Sequence, residues 1–184
     1  MKNTTACALV LAAALASPAF AQPVDRKALL SHLKDTGEPV NVPLLQERVP
    51  KLDAVLCDLA RDSREHWYAR KRAAAALTEV GGDLAFSCLV SLATDAKHEA
   101  TLRRFAMYAL GRRFASERPA EVLPVLKAAL ASANEDDRDR AIRALAYAPA
   151  AQAEPILRTH AAVERNANLA GLAQRKADQL AKRQ

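Results

Sequence analysis

Arg70-Lys71-Arg72-Ala73-Ala74-Ala75-Ala76-Leu77, Arg103-Arg104-Phe105-Ala106-Met107-Tyr108-Ala109-Leu110 and Arg138-Asp139-Arg140-Ala141-Ile142-Arg143-Ala144-Leu145 are one pattern written three times. Each reads R-x-x-A-x-x-A-L, and the leading arginines stand 33 and 35 residues apart. Self-similarity at a period of this size marks stacked helical repeats. The spacing inside each copy gives the reason. On a helix, Arg70, Ala73, Ala76, Leu77 and Val80 fall on one face. The alanines let a neighbouring helix approach closely and the leucine fills the gap. One such helix cannot bury this stripe alone, whereas stacked copies bury it in a continuous core. A fourth, weaker copy starts at Arg165, 27 residues after Arg138, with Asn168, Gly171 and Leu172 in the matching places.

An apolar helix is expected before each copy. Leu52, Val55, Leu56 and Leu59 mark the first, Leu84, Leu89 and Leu92 the second, Val122, Val125, Leu126 and Leu130 the third, and Ile156 with Leu157 the fourth. Pro50 and Pro119 suit helix starts, where the missing N–H has no partner to lose. Pro124 lies inside its helix and is expected to bend it. Short polar turns separate the partners, with Ser63, Asp95 and Asn134 as expected N-caps. Upstream, Asp25 to Lys34 reads as an amphipathic helix through Leu29, Leu30 and Leu33. A Gly/Pro loop follows to Pro43, then a short helical turn over Leu44 to Val49. The chain therefore divides into residues 1–21, an export signal; 22–50, an N-terminal helix-and-loop cap; 51–180, the repeats; and 181–184, a fraying tail.

These features resemble HEAT repeats of the ARM-type class, and more closely the HEAT-like repeats named after phycobilisome (bilin) lyases. The resemblance runs from Lys51 to Leu180. It implies an all-α fold: a short right-handed α-solenoid of about four helix pairs behind an N-terminal helical cap. It also implies second helices on the concave face and a ladder between repeats, in which a turn aspartate meets a second-helix arginine. Asp62 and Asp95 stand eight residues before Arg70 and Arg103, as the ladder asks, while the third copy has Leu130 in that place.

The N-terminus reads as an address. Lys2 precedes an apolar run from Ala6 to Ala16, Ser17-Pro18 break it, and Ala19-Phe20-Ala21 offers small residues to a signal peptidase, with cleavage after Ala21. The run is shorter than the roughly 20 residues a spanning helix needs. Cys7 lies inside the run and not after a lipoprotein cleavage box. No later segment approaches membrane-spanning length, so a periplasmic chain is expected, with secretion as the alternative. In such a compartment Cys57 and Cys88 are a disulfide candidate, the other reading being two buried thiols on neighbouring helices.

Lys and Arg exceed Asp and Glu by 27 to 21, too small a margin to argue for nucleic acid, which export also opposes. His32, His66, His98 and His160 lie on different expected elements, and neither remaining cysteine has a His or Cys at metal-ligand spacing. No nucleophile elbow, phosphate loop or dinucleotide fingerprint occurs. No catalytic residue, metal or cofactor is therefore assigned, and the chain is not expected to be an enzyme.

The cations fall into two sets. Arg70, Arg103, Arg138 and Arg165 share the core-facing side of the Ala-Leu stripe and are assigned structural roles. Lys71, Arg72, Arg104, Arg140 and Arg143 point elsewhere and, with Trp67 and Tyr108, form the candidate partner-binding face, along which Tyr68 and Tyr147 are also interspersed. Arginine and aromatic side chains are the usual interface anchors. The expected partner is a protein or peptide with an acidic patch. A lyase-like accessory factor, or a binder of anionic envelope polymer or membrane surface, are the other readings.

Overall fold

A computed structural model describes residues 26–35 and 39–183. The expected export signal, including Cys7 and the cleavage point after Ala21, lies outside the described residues, as does Gly37 of the expected loop. The described residues form ten helices and no strand: α1 (Arg26–Lys34), α2 (Val42–Arg48), α3 (Leu52–Arg61), α4 (Trp67–Val80), α5 (Gly82–Thr94), α6 (Ala100–Phe114), α7 (Pro119–Leu130), α8 (Glu135–Leu145), α9 (Ala150–Val163) and α10 (Ala167–Ala181). Helices α3/α4, α5/α6, α7/α8 and α9/α10 are four antiparallel pairs, so the fold is a short α-solenoid as the period foretold.

The repeat pattern sets the core. Ala73, Ala76 and Leu77 of α4, Ala106, Ala109 and Leu110 of α6, and Ala141, Ala144 and Leu145 of α8 are all buried. They meet Leu56, Leu59, Leu89, Leu92 and Leu126 from the first helices. Each leucine removed from water contributes about 2 kcal/mol. Small residues decide the layer spacing. Second helices abut directly, α4 on α6, α6 on α8 and α8 on α10, whereas α5 and α7 in the first layer scarcely touch. Tighter spacing on one side bends a stack toward that side, so the second helices form the concave face. The approach is especially close at Gly111 on α6, where an added Cβ would stand 2.6 Å from the Ala144 Cβ.

The cap covers the first pair. Leu29 and Leu33 of α1 are fully buried, and α1 and α2 both pack on α4. Ion pairs fasten it: Arg26 reaches Asp62 at 3.1 Å and Glu65 at 3.6 Å, and Lys34 reaches Glu65 at 3.3 Å. A disulfide joins Cys57 of α3 to Cys88 of α5 across a Cα separation of 5.9 Å. The two cysteines are thus bonded and tie the first pair to the second.

Two expected N-caps move. α4 is capped by the His66 ring, which accepts from the Tyr68 N–H, and α6 begins after Glu99. Ser63 and Asp95 belong to longer turns, and Asp95 instead ends α5. Only Asn134 caps where expected, accepting from the Asp136 N–H at 2.9 Å.

Candidate functional site

The second helices carry two kinds of cation, told apart by their hydrogen bonds, with Arg104 belonging to both. The first kind links repeats. Arg70, almost fully buried, donates to the Ala60 carbonyl at 3.1 Å and to Glu99, in the next turn, at 3.3 Å. Arg104 donates to Asp137 at 2.6 Å, lies 2.9 Å from Asp136 and bonds the Asn134 side chain at 3.0 Å. Arg138 forks onto both oxygens of Glu164 at 2.7 and 2.9 Å, and also donates to the Ser132 and Ala133 carbonyls.

The ladder therefore exists but differs from the expected one. Each arginine reaches forward to the turn of the following pair and not back to the aspartate of its own. Asp62 is taken by Arg64 and the cap, and the Asp95 carboxylate accepts from the Lys97 N–H. Arg103 donates to the His98 carbonyl at 2.6 Å, so in the second pair Arg104 supplies the rung instead. Electrostatics follow this geometry. The Arg138 fork holds Glu164 down at about 2, and Glu164 in turn raises Arg138. Burial works to raise Asp137, but hydrogen bonds from Arg104 and Ser132 outweigh it and keep the carboxyl low.

Two of the assigned arginines are elsewhere. Arg165 does not face the core: it is exposed in the turn before α10, one residue ahead of the N-cap Asn166. The repeat arginines stand four residues after their N-caps, and that place in α10 belongs to Ala170. Arg72 does not point outward: it is 9% exposed, donates to the Asp35 carbonyl and stacks over the Tyr68 ring at 5.7 Å. The cap covers the face of α4 that the repeat alone would leave open.

The second kind of cation lines a concave groove. One depression, about 480 Å³, is bordered by Lys71, Arg104, Phe105, Tyr108 and Arg140 together with Asp136 and Asp139. Lys71 Nζ sits 5.5 Å from the Phe105 ring centre, and the Arg140 guanidinium lies 5.5 Å from that of Tyr108. Such cation–ring contacts hold a charge in place without neutralising it. An adjoining depression of about 190 Å³ is bordered by Tyr108, Arg143, Tyr147, Lys176 and Arg183. Tyr108 and Tyr147 meet edge to face, their hydroxyls 2.6 Å apart. The hydrogen bond from Tyr108, and then partial burial, raise the Tyr147 phenol and keep it protonated. Arg143 is shared with Asp139 at 2.8 Å.

Five of the seven candidate residues thus converge: Lys71, Arg104, Tyr108, Arg140 and Arg143. Trp67, 49% exposed at the start of α4, does not line either depression. Sequence reading did not assign Phe105, Lys176 or Arg183 to the face, whereas Tyr147, one of the aromatics expected there, does border it. The signal for Lys176 lies in the register. With Ala170 in the arginine place, Ala173 and Ala177 fall on Ala73 and Leu77, and Lys176 falls on Ala76. No further pair follows α10 among the described residues, so a cation stands half-buried where earlier repeats have alanine.

Among the described residues no three His, Cys, Asp or Glu side chains gather where a metal ion would fit, and no helix is long and apolar enough to cross a membrane. In comparison with known proteins, residues 54–146 match the family model for HEAT repeats. No curated protein matches the chain.

Proposed function

Since the chain belongs to the HEAT-repeat family, whose members commonly mediate protein–protein interaction and are typically non-catalytic, we propose that it is an exported scaffold that holds a partner protein on its concave face. The observation that carries this reading is the cation–aromatic groove. Arg70 and Arg138 outside it, and Arg104 on its border, are spent on linking pairs, while Lys71 and Arg140 are held over aromatic rings and make no ion pair with a carboxylate among the described residues. Preorganised cations beside tyrosine are the composition of interface anchors, and they favour an acidic partner.

Export to the periplasm is supported by two independent features. One is the charged, apolar and small-residue succession of Met1 to Ala21. The other is the Cys57–Cys88 bond, which persists in oxidising compartments and is rare in reducing ones.

The test is capture of partners from a periplasmic extract by the protein and by a Lys71→Gln, Arg104→Gln, Arg140→Gln variant, each checked for an unchanged helical circular-dichroism spectrum. A specific protein retained by the parent and lost by the variant is the expected result. Equal retention by both rules out the concave face.

A further inference from the structure

The two depressions share Tyr108, and their charges are unequal. Six cations against two carboxylates border the joined surface. Both carboxylates are already engaged, Asp136 with Arg104 and Asp139 with Arg143. That leaves Lys71 and Arg140 on one side of Tyr108, and Lys176 and Arg183 on the other. Among the described residues Lys176 bonds only the Gln179 side-chain oxygen at 3.1 Å, and Arg183 only the Ala146 carbonyl at 3.3 Å. Arg140 Nε is buried with no hydrogen-bond partner among the described residues, so this one donor of a partly buried guanidinium is unsatisfied and an incoming acceptor would gain by meeting it. The smaller seat adds two phenolic hydroxyls, bonded to each other, one of which has a proton free to donate outward. At about 190 Å³ it is sized for one small polar group, with cations on its rim.

We infer that the partner binds as an extended acidic segment whose side-chain carboxylates fall on both sides of Tyr108, one between Lys71 and Arg140 and the next against Tyr147, Lys176 and Arg183. The inference rests on the scaffold reading and adds the partner's chemistry to it. An extended chain turns every second side chain to one face, so acids at alternate positions address both seats at once. Carboxylates bonded to guanidinium and ammonium groups form the stronger class of hydrogen bond. Two seats give selectivity that one does not, because a segment with a single acid leaves one pair of cations without a carboxylate.

Fluorescence anisotropy of the purified protein tests this with a rhodamine-labelled twelve-residue peptide alternating Glu and Gly, and its Gln/Gly counterpart. The Glu peptide is expected to bind and the Gln peptide not to. Lys176→Gln with Arg183→Gln is expected to weaken binding about tenfold, as is Lys71→Gln with Arg140→Gln. All four together are expected to weaken it about a hundredfold, the two seats adding independently. Arg175→Gln, exposed on α10 and bordering neither depression, is the control and should leave binding unchanged. A peptide bound by either double variant as tightly as by the parent, or weakened as much by Arg175→Gln, overturns the two-seat inference while partner capture on the concave face still stands. Phosphatidylglycerol vesicles retained through these four residues, with no binding of the Glu peptide, would overturn it in favour of a membrane surface. Equal partner capture by the variant lacking the Lys71, Arg104 and Arg140 charges removes the underlying reading itself.

Discussion

Glu164 is the carboxylate on which the last repeat turns. Its side chain is 2% exposed, it takes both arms of Arg138, it accepts the Asn166 N–H at 2.9 Å, and its Oε2 lies 3.0 Å from His160 Nε2. The pair with His160 is close but poorly aligned, so the imidazole makes no proper hydrogen bond there. The Arg138 fork carries the energy. Glu164→Gln is expected to cost about 2 kcal/mol, the scale of a hydrogen bond to a charged group, read as a lower urea midpoint. The pH dependence follows in sign. Glu164 is depressed to about 2 in the folded chain from an ordinary 4.5. Its contribution is therefore complete above about pH 5 and is lost as pH falls toward 2. Burial also lowers His160, with the Glu164 charge opposing and the Arg138 charge assisting, and burial lowers His98. Both imidazoles stay neutral longer folded than unfolded, so stability begins to fall as pH drops below 6.5, the ordinary histidine value. Urea midpoints for the parent and Glu164→Gln should converge between pH 5 and 3. Parallel curves would show that the fork does not govern acid sensitivity.

Between elements, the close approach of α6 and α8 at Gly111 has a sharp consequence. A Cβ on Gly111 would stand 2.6 Å from the Ala144 Cβ and 2.7 Å from its backbone oxygen, which cannot move without shifting α8. Helix propensity alone favours Gly→Ala by about 1 kcal/mol. Overpacking costs about 1–3 kcal/mol, and because the obstruction is backbone the upper part of that range applies. Gly111→Ala should therefore lower the melting temperature. Gly171→Ala is the contrast: its Cβ would meet only the mobile end of Arg175 at 3.2 Å, so it should be neutral or raise the melting temperature by a few degrees. Matching losses from both would refute the steric account. At this scale the sequence was legible where periodicity speaks. The three strong copies, their first helices and the amphipathic cap fall where the Ala-Leu stripe and Leu29/Leu33 place them. It misled where chemistry is local. Ser63 and Asp95 are good caps by type, but the chain spends three or four more residues in the turn before His66 and Glu99. The fourth copy was misaligned because its arginine is absent, and Arg165 stood nearest the expected place. Arg72 was misjudged because the repeat says nothing of the cap laid over it. Lys176 and Arg183 enter the groove through the corrected register and the C-terminal turn, neither visible as a motif.

In a stack of pairs, stability is close to a sum of nearest-neighbour terms, so a constraint acts where it is placed and fades with distance. The Cys57–Cys88 bond crosses from the first pair to the second and closes a loop of 31 residues in sequence. Removing a loop constraint of this length costs about 3–4 kcal/mol in the chain-entropy picture. The far end has its own fastening, Arg138 on Glu164, and no disulfide among the described residues ties it to the first pair. Reduction should therefore loosen the molecule unevenly. Hydrogen exchange of the reduced protein is expected to quicken in α1 through α5, with α9 and α10 keeping their protection. Glu164→Gln should produce the reverse, quickening α9 and α10 while α3 and α5 are unchanged. The groove spans α4 to α10 and draws on both halves, so each perturbation should weaken partner capture through a different end of the same surface. Uniform quickening in both cases would mean that the four pairs open as one cooperative unit, and the separation of a covalently tied end from an ion-paired end would have to be given up.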